Sequence, residues 1–300
     1  MSKNVLRGVF LVGLGAASFG MLATFVKLSY TQGYTTAEVT SSQIILGLLG
    51  MFLINRFNKK KKGDEAVQPT RKNKFHLIIA GTSIGFTSVL YYLSVVYIPV
   101  SVAIVLLMQT VWIGVVLEAI LTKTFPSLRK IIAVVIVLAG TILATNIMDN
   151  TTTPDWRGIV LGLLAAVAFT TTMFASNRIA VHLSSSQRSL YTLVGATVVV
   201  LTFAAVTWSG HYNYDIFYKW GLFLAVFGTI IPPLLLNTGF PHTGIGLGSI
   251  VSSLELPVSV TMAFVVLHEK VTALQWLGIF LIIAAVVIMN IPKRTIRAKN

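Results

Sequence analysis

Cysteine is missing from all 300 residues. That excludes disulfides, thiolate-held metals and a cysteine nucleophile. Charge is also scarce: Asp, Glu, Lys and Arg make up 11% of the chain, against about a quarter in soluble domains. The five histidines, His76, His182, His211, His242 and His268, are scattered without paired metal-ligand spacing. HExxH and GxxxxGK[ST] do not occur, so the usual signatures of a zinc hydrolase and a nucleotide-driven pump are lacking. We expect no enzyme, no catalytic residue, no metal and no cofactor, with energy drawn from an ion or solute gradient.

Hydrophobic residues fill the space left by charge, at 55% of the chain. They fall into ten apolar runs, at about 7–30, 37–56, 75–96, 100–121, 129–147, 157–178, 188–209, 217–237, 245–267 and 273–291. Each has the roughly 17–25 residues a helix needs to cross hydrocarbon. The expected class is an all-α integral membrane protein of ten transmembrane helices. The first run, after Lys3 and Arg7, is too long for a signal-peptide core and has a counterpart later in the chain, so it reads as a retained helix.

A net charge of +14 would point to nucleic acid in a soluble protein. Its distribution points to a membrane instead. With the N-terminus in the cytoplasm, that side collects Lys3, Arg7, Arg56, Lys59 to Lys62, Arg71, Lys72, Lys74, Lys123, Arg129, Lys130, Arg178, Arg188, Lys293, Arg294, Arg297 and Lys299. The other side receives only Arg157, Lys219 and Lys270. The positive-inside rule therefore sets both termini in the cytoplasm of a multi-pass plasma-membrane protein, the inner membrane if the cell is Gram-negative. Trp156, Trp208, Trp220 and Trp276 fall near the opposite boundary as interfacial anchors. Asn58 to Lys74, with its four-lysine run, reads as a solvated loop or a contact for anionic head groups.

The last five runs echo the first five. GVFLVGLGAASFGMLATFVK from Gly8 lies beside GIVLGLLAAVAFTTTMFASN from Gly158, and SVAIVLLMQTVWIGVVLEAIL from Ser101 beside LGSIVSSLELPVSVTMAFVVL from Leu247. The fifth and tenth runs follow, and the separations stay within 145–150 residues. Five crossings per half is odd, so the halves must lie in opposite orientations, as in many secondary transporters. The expected division is 1–148, a first five-helix repeat; 149–156, an extracytoplasmic linker; 157–292, a second repeat; and 293–300, a basic cytoplasmic tail.

Glu255 is the costliest residue, because it sits near the middle of the ninth run among apolar neighbours. Gly248, Ser252, Glu255 and Ser259 share one helical stripe, and Pro257 frees a carbonyl close by. Two readings stand: a reversible proton carrier, or a protonated group that ties helices together. Gln109 takes the place of Glu255 in the first half and shares a face with Trp112, which offers either a substrate contact or a structural amide. Lys27 either snorkels to water or meets an anionic group in a cavity. Pro232, Pro233 and Pro257 are candidate hinges or gates. Glu118 is expected to pair with Lys123 or Arg129, and Tyr91, Tyr92 and Tyr97 to pack or anchor.

The ten runs, the inverted repeat and the segment from Leu247 to Ile288 together resemble the EamA family of the drug/metabolite transporter superfamily. The family pattern of an acid near a proline, a later glutamate and a Gly-containing last helix corresponds here to Glu255 with Pro257, Glu269 and Gly278. The first half departs from it, with Gln109, Val111 and Lys123 or Thr124 at the matching places, and Gln43 where an arginine is common. The resemblance runs from about Gly8 to Met289. It implies a permease, often an exporter, for a small organic solute such as an amino acid, metabolite or drug. Expected partners are that solute, the lipid bilayer and protons as candidate coupling ion, with no nucleic acid and with homo-oligomers left open. The competing class is a membrane-embedded enzyme or lipid-handling protein.

Overall fold

The structure is a computed structural model that describes residues 3–62, 67–98, 100–145, 155–208, 210–268 and 271–290. Its regular segments are all helical, with no strand among the described residues. In chain order they are α1 (Lys3–Thr31), α2 (Thr36–Lys62), α3 (Arg71–Tyr97), α4 (Val100–Leu107), α5 (Thr110–Thr122), α6 (Leu128–Ala144), α7 (Trp156–Arg178) and α8 (Ser185–Val206). Then follow α9 (Leu222–Leu224), α10 (Ile231–Thr243), α11 (Ile245–Ser252), α12 (Glu255–Val266) and α13 (Ala273–Asn290). Two π-helical segments, Phe217–Gly221 and Ala225–Ile230, join α9 and α10 into one 27-residue rod.

Among the described residues, eight helical stretches are long and apolar enough to cross a membrane. Two of these, Val102–Thr122 and Ile245–Val266, are the broken pairs α4–α5 and α11–α12. The fifth and tenth expected runs appear as α6, of 17 residues, and α13, of 18. The lysine run expected in a loop belongs to the last turn of α2 instead. Helix propensity of lysine and the absence of a breaker before Gly63 carry the helix that far. The linker at 149–154, the acids Asp64 and Glu65, Glu269 and the tail at 293–300 lie outside the described residues.

Side-chain caps fix where the helices begin. Ser184 and Gln187 form a reciprocal capping box on α8, and Thr70, Ser127 and Asp155 cap α3, α6 and α7. Gly244, at φ 76°, turns the chain from α10 directly into α11.

The interruptions within spans have local causes. Pro257 has no N–H for the Ser253 carbonyl, which accepts from Leu256 N at 3.2 Å instead. α4 breaks from α5 without a proline. Gln109 N donates to Leu106 O, and the Val105 carbonyl released by that shift accepts from the Gln109 Nε2 at 2.9 Å. Pro232 and Pro233 lie near the middle of their span, just past the π segment Ala225–Ile230. There Ile231 N reaches back to Val226 O, and the released Phe227 carbonyl accepts from Ser18 Oγ at 2.6 Å.

Helices pack through small residues, as they must where lipid supplies no hydrophobic drive between them. At the α3–α8 crossing, Gly81 lies against the Thr192 backbone and Gly195 against that of Ile78. Gly140 and Gly278 bring α6 onto α13, and Gly8 and Gly239 bring α1 onto α10. The largest apolar core, with Val12, Met108, Val111, Phe240 and Ile250, lies where α1, α4, α5, α10 and α11 meet. It sits toward the end of the bundle where α1 starts and α10 ends, which also holds Arg71, Lys74, Lys130, Arg178 and Arg188 and is called here the basic end.

Replacing Gly195 by Ala tests this packing. A methyl group gains about 1 kcal/mol of helix propensity, but it would collide with the Ile78 carbonyl. Overpacking of this kind costs about 1–3 kcal/mol. The expected net result is a lower melting temperature in detergent, and Gly195→Val should lower it further.

Candidate functional site

A cavity of about 640 Å³ lies between the two halves, walled by α1, α2, α3, α4, α7, α8, α10 and α12, with the π segment before α10 and the far ends of α6 and α13. At one extreme it reaches Tyr30, Leu267 and Val271, at the level of the helix ends opposite the basic end. Toward the basic end it stops at Ser176, Thr192 and Asn237. The lining is mostly aromatic and aliphatic, with polar groups on several helices, as small-molecule sites commonly are.

The broken helix places Glu255 in this wall. As the first residue of α12 it follows the interruption directly and is half-buried. Gly20 of α1 packs against the backbone of α12 at the Glu255 carbonyl. Tyr91 lies within Coulombic reach of it. Among the described residues no hydrogen bond reaches the Glu255 carboxylate, so it faces the cavity available to a proton or a ligand. Ser259, one turn along α12, and Lys27 and Tyr30 of α1 line the same cavity. Gln43 lines it from α2, and its amide donates to Thr229 Oγ1 at 3.0 Å.

The other residues read from the sequence are placed elsewhere. Gln109 and Trp112 do share a face, but Trp112 Nε1 donates to Gln109 Oε1 at 2.8 Å, and neither lines the cavity. The reason is the break itself, which engages the Gln109 amide with Val105 and leaves Trp112 40% exposed. Ser252 is buried and donates to Gly248 O at 2.9 Å. Pro233 contributes to the wall, whereas Pro232 and Pro257 are buried outside it. Glu118 pairs with Lys130 instead of Lys123 or Arg129, because the pair closes over Gly244 and Gly246 at the start of α11.

The hydrogen bonds at the two breaks give the register of the repeat. Gln109 N to Leu106 O matches Leu254 N to Val251 O, and Val111 N to Met108 O matches Leu256 N to Ser253 O. Ile113 N to Gln109 O matches Val258 N to Leu254 O. Glu255 therefore corresponds to Thr110, one residue past the Gln109 expected from sequence similarity. Thr110 is buried and exchanges a hydrogen bond with Thr170 at 2.8 Å.

Arg188 forms the floor below the cavity. Its side chain is 2% exposed, a burial that its place among the boundary cations did not suggest. The guanidinium donates to the carbonyls of Ala175, Ser176 and Ile179 at the end of α7 and to Asn237 O of α10. The negative end of the α7 dipole stands in for a carboxylate. Asn177 Nδ2 adds a bond to Phe240 O at 2.6 Å. Tyr91 and Tyr92, expected to pack or anchor, are cavity walls.

The repeat makes the closure of this end visible as an asymmetry. α5 packs on α11, α7 on α10 and α8 on α10, all toward the basic end. Their inverted counterparts, α12 with α4, α1 with α3 and α2 with α3, show no comparable packing. The cavity is thus sealed at the basic end and splayed at the far end.

Arg188→Leu should lower thermal stability by about 3 kcal/mol or more, since it strands several buried carbonyls at once. Arg188→Lys should recover only part of it, because an ammonium cannot span α7 and α10 in the same plane. Thermal unfolding of purified protein in detergent measures both.

Comparison with known proteins gives a consistent picture. A search of curated proteins finds no significant match. A solved structure titled "Crystal structure of protein" superposes with a TM-score of 0.78 over 97% of this chain and 99% of its own, at 14% identity. That likeness shows the fold. The EamA-like transporter family matches twice in tandem, at residues 6–146 and 156–291. With both halves matched, the chain belongs to the EamA-like transporter family of the drug/metabolite transporter superfamily.

Proposed function

We propose that this protein is a secondary carrier that exports a small organic solute, such as an amino acid, metabolite or drug, by alternating access. The observation that carries the reading is the cavity between the halves, sealed at the basic end, splayed at the far end and lined by Glu255, whose carboxylate takes no hydrogen bond among the described residues. Ten crossings are proposed, with α6 and α13 completing the eight longer spans and two five-helix repeats meeting at the cavity. The charge distribution favours a cytoplasmic basic end, with both termini on that side of the plasma membrane.

Glu255 is assigned the coupling or recognition role. A carboxylate held away from water is costly when charged and inexpensive when neutral, so exchanging its proton for solute would link the two movements. Ser259, Lys27, Gln43 and Tyr91 would contribute to solute contact from four different helices. Proton coupling is favoured over sodium coupling because one central carboxylate suffices.

Flux in proteoliposomes with an imposed pH gradient tests this reading. Glu255→Gln should abolish gradient-driven uptake, by a factor of about 100 or more if the proton is obligatory, while the cavity and the fold persist. Uptake at the wild-type rate would remove the carrier role of Glu255. Chemical turnover of a solute with no net movement across a sealed vesicle would favour a membrane-embedded enzyme.

A further inference from the structure

The sealed seam at the basic end has an inverted counterpart that is open, and the hydrogen-bond register names its residues. At the seam, Gly114 of α5 meets Ser249 of α11, close enough that a Cβ on Gly114 would collide with the serine. Ser249 Oγ also donates to Val111 O at 3.2 Å, tying the two helices together. In the register fixed by the two breaks, Gly114 corresponds to Ser259, and Ser249 to Ile104. Both counterparts now line the cavity from separate helices.

We propose that Ile104 and Ser259 are the far-end gate: when the basic end opens, α4 closes on α12 and these two side chains meet as Gly114 and Ser249 meet now. This rests on the alternating-access reading above. Ser259 stands one turn beyond Glu255 on α12, so Ile104 arriving there caps Glu255 from the far side. The gate thereby decides which side reaches the carboxylate.

The two seams differ in bulk. Glycine against serine lets helix axes approach closely, whereas isoleucine against serine holds them apart. The far-end seam also lacks an ion pair like the one that Glu118 and Lys130 place over Gly244 and Gly246 at the basic end, since Ala263 takes the Glu118 position. This asymmetry favours the basic-end-closed state as the resting one. It is the state observed.

Because the protein has no cysteine, every introduced thiol is unique. In solute-free proteoliposomes, the Ile104→Cys/Ser259→Cys pair should oxidise slowly. Adding Gly114→Leu, which props the basic-end seam apart, should raise that rate about tenfold. An Ile104→Cys/Leu267→Cys pair serves as control, since Leu267 lines the same cavity two turns further along α12 but is not a predicted partner. Opening of the basic end is read separately, as modification of Thr192→Cys by an impermeant maleimide from that side. Accelerated crosslinking of the 104–259 pair alone supports the gate. If Thr192→Cys becomes accessible and the two pairs crosslink equally, the gate assignment is overturned and the carrier reading stands. If Gly114→Leu leaves Thr192→Cys inaccessible, the carrier reading is overturned and the gate with it.

Should Gly114→Leu fail to fold, Ile104→Ser with Ser259→Gly gives the far-end seam the small residues of its counterpart. Basic-side labelling of Thr192→Cys should then rise about tenfold. Unchanged labelling overturns the claim that bulk at this seam sets the resting state.

Discussion

In hydrocarbon a backbone carbonyl or N–H has no water to fall back on, so every interruption of a helix must be answered by another group. This constraint organises the protein. The Phe227 carbonyl released by a π turn is answered by Ser18 from another helix. Val105, released at the break before α5, is answered by the amide of Gln109, and the last carbonyls of α7 by Arg188. Each break is therefore affordable only where a specific side chain reaches it, and those side chains fix how neighbouring helices are placed. The cavity exists because the breaks and the spacing glycines hold helices of both halves around a space they do not fill.

The same constraint explains how a bundle of apolar helices can hold a state with one end closed. Lipid gives no hydrophobic reward for helix association, so closure depends on close backbone approach and on polar bonds. At the basic end both are present: Gly114 on Ser249, Gly8 on Gly239, Asn177 on Phe240 and Arg188 on four carbonyls. At the far end, bonds such as Gln32 to Trp220 and Glu38 to Asn213 hold α1 and α2 to the neighbouring loop and rod, without drawing α1 or α2 onto α3. In the proposed alternating-access cycle, opening one end and closing the other would exchange one set of polar and small-residue contacts for another.

Much of this was legible in the sequence. Helix positions followed from apolar runs because a span must be long and nearly uncharged, and the repeat followed from matched segments in one order. Glu255 could be singled out because a carboxylate among apolar residues is costly wherever the chain puts it. Cavity lining was less legible, because whether Gln109 faces inward depends on a break that no proline announces. Its amide is consumed by its own helix, and Trp112 turns outward with it. Arg188 was hidden for the opposite reason: near the start of α8 it counts as a boundary cation, and only the end of α7 and α10 folding beside it reveal four carbonyl partners. A capping box at Ser184 and Gln187 does mark the helix start, and with it that Arg188 lies inside the first turn and not in a loop.

The register of the two breaks also sets Glu255, which takes no hydrogen bond among the described residues, against a bonded counterpart. Its counterpart Thr110 lies against Thr170, and the two hydroxyls share a hydrogen bond in the buried core while Thr170 also bonds Ala166 O. In the alignment of α1 with α7 that pairs Gly8 with Gly158, the counterpart of Thr170 is Gly20, which does pack against Glu255. One half thus supplies a hydroxyl that closes a polar pair, and the other supplies a hydrogen atom. Glycine lets α1 approach the backbone of α12 and brings no side-chain hydroxyl to that contact. The site is produced by a glycine opposite an acid as much as by the acid itself. An inverted repeat is well suited to this, because a polar pair already accommodated in one half needs only one partner removed in the other to become a reactive position.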